Sequence, residues 1–149
     1  MALRKIITIS DDVLTKVSRP VVATDIKTKE LADDLLETMK SHDAAGVAAV
    51  QVGLLKRVAV ATDGKQDITL INPKILKQDG EKSESEGCLS IPDVFGDVKR
   101  PLNIVVETHD INGNIKKHKI EGLLARIICH EIDHMDGILF TSKAGIIEK

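Results

Sequence analysis

The chain has 149 residues, 42% of them hydrophobic, and carries 21 basic against 23 acidic side chains for a formal charge of −2. At this length roughly 68–70% of the unfolded surface can be buried, so a single domain over residues 1–149 with an aliphatic core is expected, Phe95 and Phe140 being its whole aromatic complement. That balance excludes the basic face and the base-stacking platforms of a nucleic-acid binder, and no apolar run nears the ~18 residues of a membrane span.

The opening stretch "MALRKIITIS" is too short and wrongly flanked for a signal peptide, so a cytoplasmic location is expected. In that setting the two cysteines, Cys88 and Cys129, point to thiol or metal chemistry or to inert packing before they point to a disulfide. No repeat or low-complexity linker interrupts the chain.

Residues 11–17 predict a short helix capped by Ser10, and residues 25–42 a longer one, with Leu31, Leu35, Leu36 and Met39 at helical spacing. Gly46 begins a loop, "GVAAVQVG". The pattern then shifts to "RVAVAT", "ITLINPKIL", "NIVVETHD" and "IKKHKI", short segments rich in Val, Ile and Thr and punctuated by "DGKQD", "QDGEK" and "INGN". These predict antiparallel strands joined by hairpin turns. The last strong element is helical from about Gly122 to Met135, with Leu123, Leu124, Ile127, Ile128 and Met135 on its buried side. Strands gathered between helices imply an α+β fold, antiparallel sheets around a C-terminal helix, and not a βαβ repeat.

That helix carries "CHEIDHMDG". Residues four apart on a helix lie nearly above one another, so His130 and His134 can converge on one ion, whereas Glu131, about 100° further round, suits a water beside it. Alone, either histidine reads as an ordinary helix residue. Together, with a Glu between them, they read as a metal site.

The third ligand separates the classes. The pattern HExxHxxGxxH would need a His where Phe140 stands, and too few residues follow His134 for a ligand-bearing helix downstream. Upstream, "SESEGCLSIP" offers Cys88 in a Gly-bearing loop. A thiolate with two imidazoles leaves one tetrahedral position for water. Cys129 diverges from His130 by about 100° and is assigned to a wall or to packing. Asp133 faces away from the ligands, Glu86 is open to reading as a surface acid, and His42, His109 and His118 are expected to be exposed.

Three stretches in order, "GVAAVQ", "EGCLS" and "HEIDH", make the chain resemble the peptide deformylases, and the similarity runs from about Val13 to Phe140. The resemblance implies removal of the formyl group from the N-terminal formylmethionine of nascent proteins, which are met as formylated peptides, some of them at the ribosome. It implies one divalent ion held by Cys88, His130 and His134, with ferrous iron preferred and nickel, cobalt or zinc able to replace it. Glu131 would be general base and then acid, and Gln51 with the Leu89 N–H would meet the oxyanion. Gly46, Val47, Gly87 and Cys129 would contact substrate. Ala44, Val50 and Cys129 depart from the family pattern, and the tail after Phe140 is short for the extra helix of many bacterial members. Another amidase or peptidase, or a noncatalytic peptide-binding module on the same scaffold, are the alternatives; an intact Glu131 argues against the module.

Overall fold

The computed structural model describes residues 2–145 and 147–148. After an extended N-terminal segment, residues 12–15 make a single 3-10 turn, shorter than the expected helix, and Asp11 caps it in place of Ser10, its Oδ1 accepting the Val13 N–H at 3.1 Å. Helix α1, Ile26–Ser41, starts at Asp25, whose carboxylate accepts the Lys27 N–H at 2.9 Å. It satisfies one of the four free amides that every helix N-terminus exposes.

The "GVAAVQ" stretch is not all loop. Strand β1, Gly46–Ala48, leads into a 3-10 turn at Ala49–Val52. Strands β2, Val58–Thr62, and β3, Asp67–Ile71, follow as a hairpin, and β1 pairs antiparallel with β2 to complete the first sheet. "ITLINPKIL" reads as one strand in sequence but is cut in two: Asn72 has φ +49° and Pro73 follows, and Pro has no N–H to donate to a ladder. Beyond the cut lies β4, Lys74–Asp79.

Two strands had no signature in the hydrophobic pattern, β5, Lys82–Cys88, and β6, Ile91–Arg100. They pair with each other, with β9, Ile147–Glu148, added at the far edge of β6. "QDGEK" is therefore no hairpin turn, because β4 pairs with β7, Asn103–His109, and β7 with β8, Ile115–Glu121. Helix α2, Gly122–Met135, spans the residues expected of it. Among the described residues three short antiparallel sheets with two α-helices make the fold α+β.

Among the described residues the core divides into two apolar clusters, and the larger one fixes α2. The larger joins Leu124, Ile128, Ile132 and Met135 to Val98, Val106, Ala59 and Phe140. The smaller sits under α1, where Leu31, Leu35 and Met39 meet Val47, Ala49, Val58 and Val60. Leu123 departs from its expected buried side and is exposed. No helix among the described residues is long and apolar enough to cross a membrane.

Candidate metal centre

Among the described residues one group of three metal-ligand side chains converges: Cys88, His130 and His134, whose donor atoms all lie within 4.8 Å of one another. Cys88 arrives from the end of β5. The β5–β6 register slips there, Glu86 facing Gly96 but Cys88 facing Ile91, so that residues 92–95 stand opposite Gly87 alone. Such a bulge re-aims the side chain beside it. Cys88 Sγ lies 3.3 Å from His134 Nε2, and Cys88 and Cys129 are both free thiols.

The two imidazoles are differently supported. His130 Nδ1 lies 2.9 Å from Glu86 Oε1. A carboxylate can only accept, so Nδ1 carries the proton and Nε2 is left for a ligand role. Burial works against charge on His130, but its contacts with Cys88 and Glu86 outweigh burial and put its pKa at about 10. A bound cation would displace a proton held at Nε2. His134 is pushed the other way, to about 3, by burial first and then by the charges of His130 and Arg100; it is a neutral donor across the physiological range. Its Nδ1 has no hydrogen-bond partner among the described residues.

Glu86, open to reading as a surface acid, is buried at 7% exposure. Arg100 Nε and Nη2 each donate to it at 2.9 Å, and Arg126 Nη1 adds a third donor. Burial alone would raise its pKa, yet the hydrogen bonds from His130 and Arg100 bring it down to about 2. Asp133 turns away from the ligands as expected, but it is buried and paired with Arg100 and Lys143. The sequence signal that could have exposed this network is the pair Arg100 and Arg126 at otherwise buried positions, since a buried guanidinium demands carboxylates.

Glu131 is the contrast. It is 3% exposed, its Oε1 has no hydrogen-bond partner among the described residues, and burial raises its pKa to about 7. Gly46 lies against it so closely that an added Cβ would come within 2.6 Å of Glu131 Oε2. Any side chain at position 46 would push the carboxylate aside. Gly87 is held bare in the same way by the Phe95 ring, 2.9 Å from where its Cβ would be.

These groups open on a cavity of about 490 Å³ lined by Ala44, Gly46, Gly87, Cys88, Leu89, Phe95, Leu123, Ile127, His130 and Glu131, among others. Gln51, buried behind Cys88, places Nε2 3.4 Å from Cys88 Sγ and 3.2 Å from Ser90 Oγ, while its Oε1 accepts the Ala48 N–H at 2.9 Å. Two expected substrate contacts lie elsewhere. Val47 is wholly buried in the cluster under α1, because its side chain points opposite to its strand neighbour Gly46. Cys129 borders a separate depression with Ile132, Asp133 and Lys143; burial lifts its thiol to about 11, which keeps it protonated and unreactive. His42 is exposed, while His109 and His118 are half-buried.

The donor set fits a divalent cation: a thiol and two imidazoles within reach of one point, beside a buried carboxylate oxygen with no donor of its own. An α+β scaffold that brings this set together beside a cavity lined by Cys88, His130 and Glu131 has the parts of a metal-dependent hydrolase. The family described as Polypeptide deformylase matches residues 3–149. Peptide deformylase 2 of Clostridium acetobutylicum is 49% identical over 142 residues, covering 95% of each chain. The crystal structure of the Thermotoga maritima peptide deformylase superposes with a TM-score of 0.93 at 33% identity, covering 98% of this chain and all of that one. The class I type b peptide deformylase of Acinetobacter baumannii, solved with Met-Ala-Ser bound, gives a TM-score of 0.89 at 29% identity over 95% and 98% of the two chains. The chain belongs to the peptide deformylase family, metal-dependent hydrolases that remove the formyl group from an N-terminal formylmethionine.

Proposed function

We propose that the chain, acting as one domain, deformylates nascent peptides at the centre formed by Cys88, His130 and His134, with Glu131 moving the proton and Gln51 and the Leu89 N–H binding the carbonyl oxygen. The observation that carries this reading is the partnerless, buried Glu131 oxygen beside three converging ligand atoms.

We take ferrous iron as the ion, and the same donors accept nickel, cobalt or zinc. When bound, such a cation supplies Lewis acidity, polarising a carbonyl and making water nucleophilic near neutral pH. The chain's own residues do the rest. Buried, with an oxygen that no donor among the described residues holds, Glu131 can take a proton from the attacking water and return it to the departing amine nitrogen. Gln51 is held by its contacts with Ala48 and Ser90, so its amide is oriented before substrate arrives, as stabilisation of a developing oxyanion requires. The cavity that Gly46 and Gly87 help to line takes an extended peptide whose methionine side chain meets the apolar surfaces of Phe95, Leu123 and Ile127. The Met-Ala-Ser bound by the Acinetobacter baumannii enzyme has the same chemical character. The substrates are formylated nascent peptides, met in the cytoplasm at or near the ribosome.

The test is anaerobic purification, metal analysis and a formyl-Met-Ala-Ser hydrolysis assay on wild type and Cys88→Ser. We expect one divalent ion per wild-type chain, formate release, and a sharp loss of bound metal in the variant. Full metal occupancy in Cys88→Ser overturns the ligand assignment. Binding of formyl peptide by the iron- or nickel-loaded wild type without any hydrolysis overturns the catalytic reading and leaves a peptide-binding module.

A further inference from the structure

Behind the ligand-bearing face of α2, charged groups link the segment after the helix to His130. His130 Nδ1 meets Glu86 Oε1, Glu86 takes two donors from Arg100, and the remaining Arg100 Nη1 reaches Asp133. Asp133 in turn meets Lys143 Nζ, 2.9 Å from Oδ2 and 3.2 Å from Oδ1. Arg126 also serves Glu86, but it is pinned separately by the carbonyl oxygens of Val98 and Lys82. The same segment touches His130 by a second route, since the Phe140 ring stacks on the imidazole with centroids 6.0 Å apart and an interplanar angle of 26°.

We propose that Lys143 is a positioning residue for the metal centre: by holding Asp133 it leaves Arg100 committed to Glu86, and Glu86 to His130. The proposal rests on the reading of His130 as a ligand. Arg100 stands between two buried carboxylates, and the division of its hydrogen bonds depends on how far the charge of Asp133 is met from elsewhere. Among the described residues the cations that meet Asp133 are Arg100 and Lys143. Without Lys143 the Asp133 carboxylate draws Arg100 across, Glu86 loses a donor, and the partner that fixes the His130 ring and raises its basicity is less firmly placed. Lys143 is 43% exposed at its side chain, so its pair with Asp133 adds little to the stability of the fold. Its effect is felt through coupling.

The experiment measures Co²⁺ affinity of the full chain, stripped of metal, by competition with a chelator, in wild type, Lys143→Ala, Lys143→Arg, Asp133→Asn and the Asp133→Asn/Lys143→Ala double variant. Partners of metal ligands typically change affinity 10–100-fold, and one further removed should fall at the low end. We expect Lys143→Ala to bind Co²⁺ about 10-fold more weakly, Lys143→Arg to restore it, and Lys143→Ala to add nothing once Asp133 is Asn. The metal-free thermal midpoint should move by no more than roughly 2–4 °C. An affinity within about twofold of wild type, or the same loss in both backgrounds, overturns the proposal; Lys143→Arg carries the test should Lys143→Ala fail to fold, and no recovery there counts against it. Failure of the wild type to take up Co²⁺ instead overturns the ligand assignment itself.

Discussion

Glu86, near the end of β5, and Glu131, on α2, are both buried carboxylates that border the same cavity, yet their surroundings have little else in common. Around Glu86 every oxygen is met: His130, Arg100 and Arg126 converge on it, and its pKa falls to about 2. Around Glu131 the packing is close but supplies no partner: Gly46 lies against it without a side chain, one oxygen has no donor among the described residues, and burial raises the pKa to about 7. Burial raises both groups alike; partners decide the outcome. A carboxylate locked in its charged form can orient a ligand but cannot exchange a proton near neutrality, whereas one poised near 7 can do so in both directions.

The largest test of that contrast is Glu131→Gln, which keeps the shape and removes the base. Turnover of formyl-Met peptides should fall by roughly 10²–10⁴-fold, the usual worth of a general base, while metal content, read by elemental analysis, stays at the wild-type level. Near-normal turnover with metal bound would mean that another group takes the proton and that the bare surroundings of Glu131 have no catalytic meaning.

Next in size is Glu86→Ala. Removing one member of a buried ion network takes from Arg100 and Arg126 the carboxylate they share and leaves Arg100 with Asp133 alone, at a cost of up to about 3–5 kcal/mol, to be read from urea unfolding of the metal-free protein. Metal affinity should drop by about 10–100-fold through His130. A variant as stable as wild type would show that the cations around Glu86 are satisfied without it.

The smallest and most diagnostic effect is in pH dependence, where the two carboxylates should pull in opposite directions. Glu86 is depressed to about 2 from an ordinary value of 4.5, so its stabilisation is present above pH 4.5 and is lost as pH falls towards 2. Glu131 is raised to about 7, so the folded state holds its proton more tightly and stability declines as pH rises from 4.5 through 7. Measured on metal-free protein, the stability difference between wild type and Glu86→Gln should close on acidification. The difference between wild type and Glu131→Gln should shift against wild type on approach to neutrality. Parallel trends in the two variants would remove the contrast.

How much of this was legible beforehand depends on the range of the interaction. The placement of His130, Glu131 and His134 on one helix, and the hairpin of β7 and β8, follow from periods of 3.6 and 2 residues and from a turn sequence, all read within a few residues. Motif order and donor chemistry were enough to place Cys88 with the histidines. Strand β5, "KSESEGC", escaped because it has no apolar alternation to read. Its side chains answer to Arg100 and Arg126 across the sheet and on α2, and partners of that kind leave no local trace. For the same reason Glu86 resembled a surface acid, while Val47 and Cys129 resembled cavity walls. Local periodicity sets which way neighbouring residues diverge, and so determined the helix that bears the ligands. Which face meets the cavity, and which buried carboxylate is starved of partners, was decided by tertiary packing, because burial and charge compensation are properties of residues brought together from different elements, 14 positions apart for Glu86 and Arg100 and 44 for Glu86 and His130.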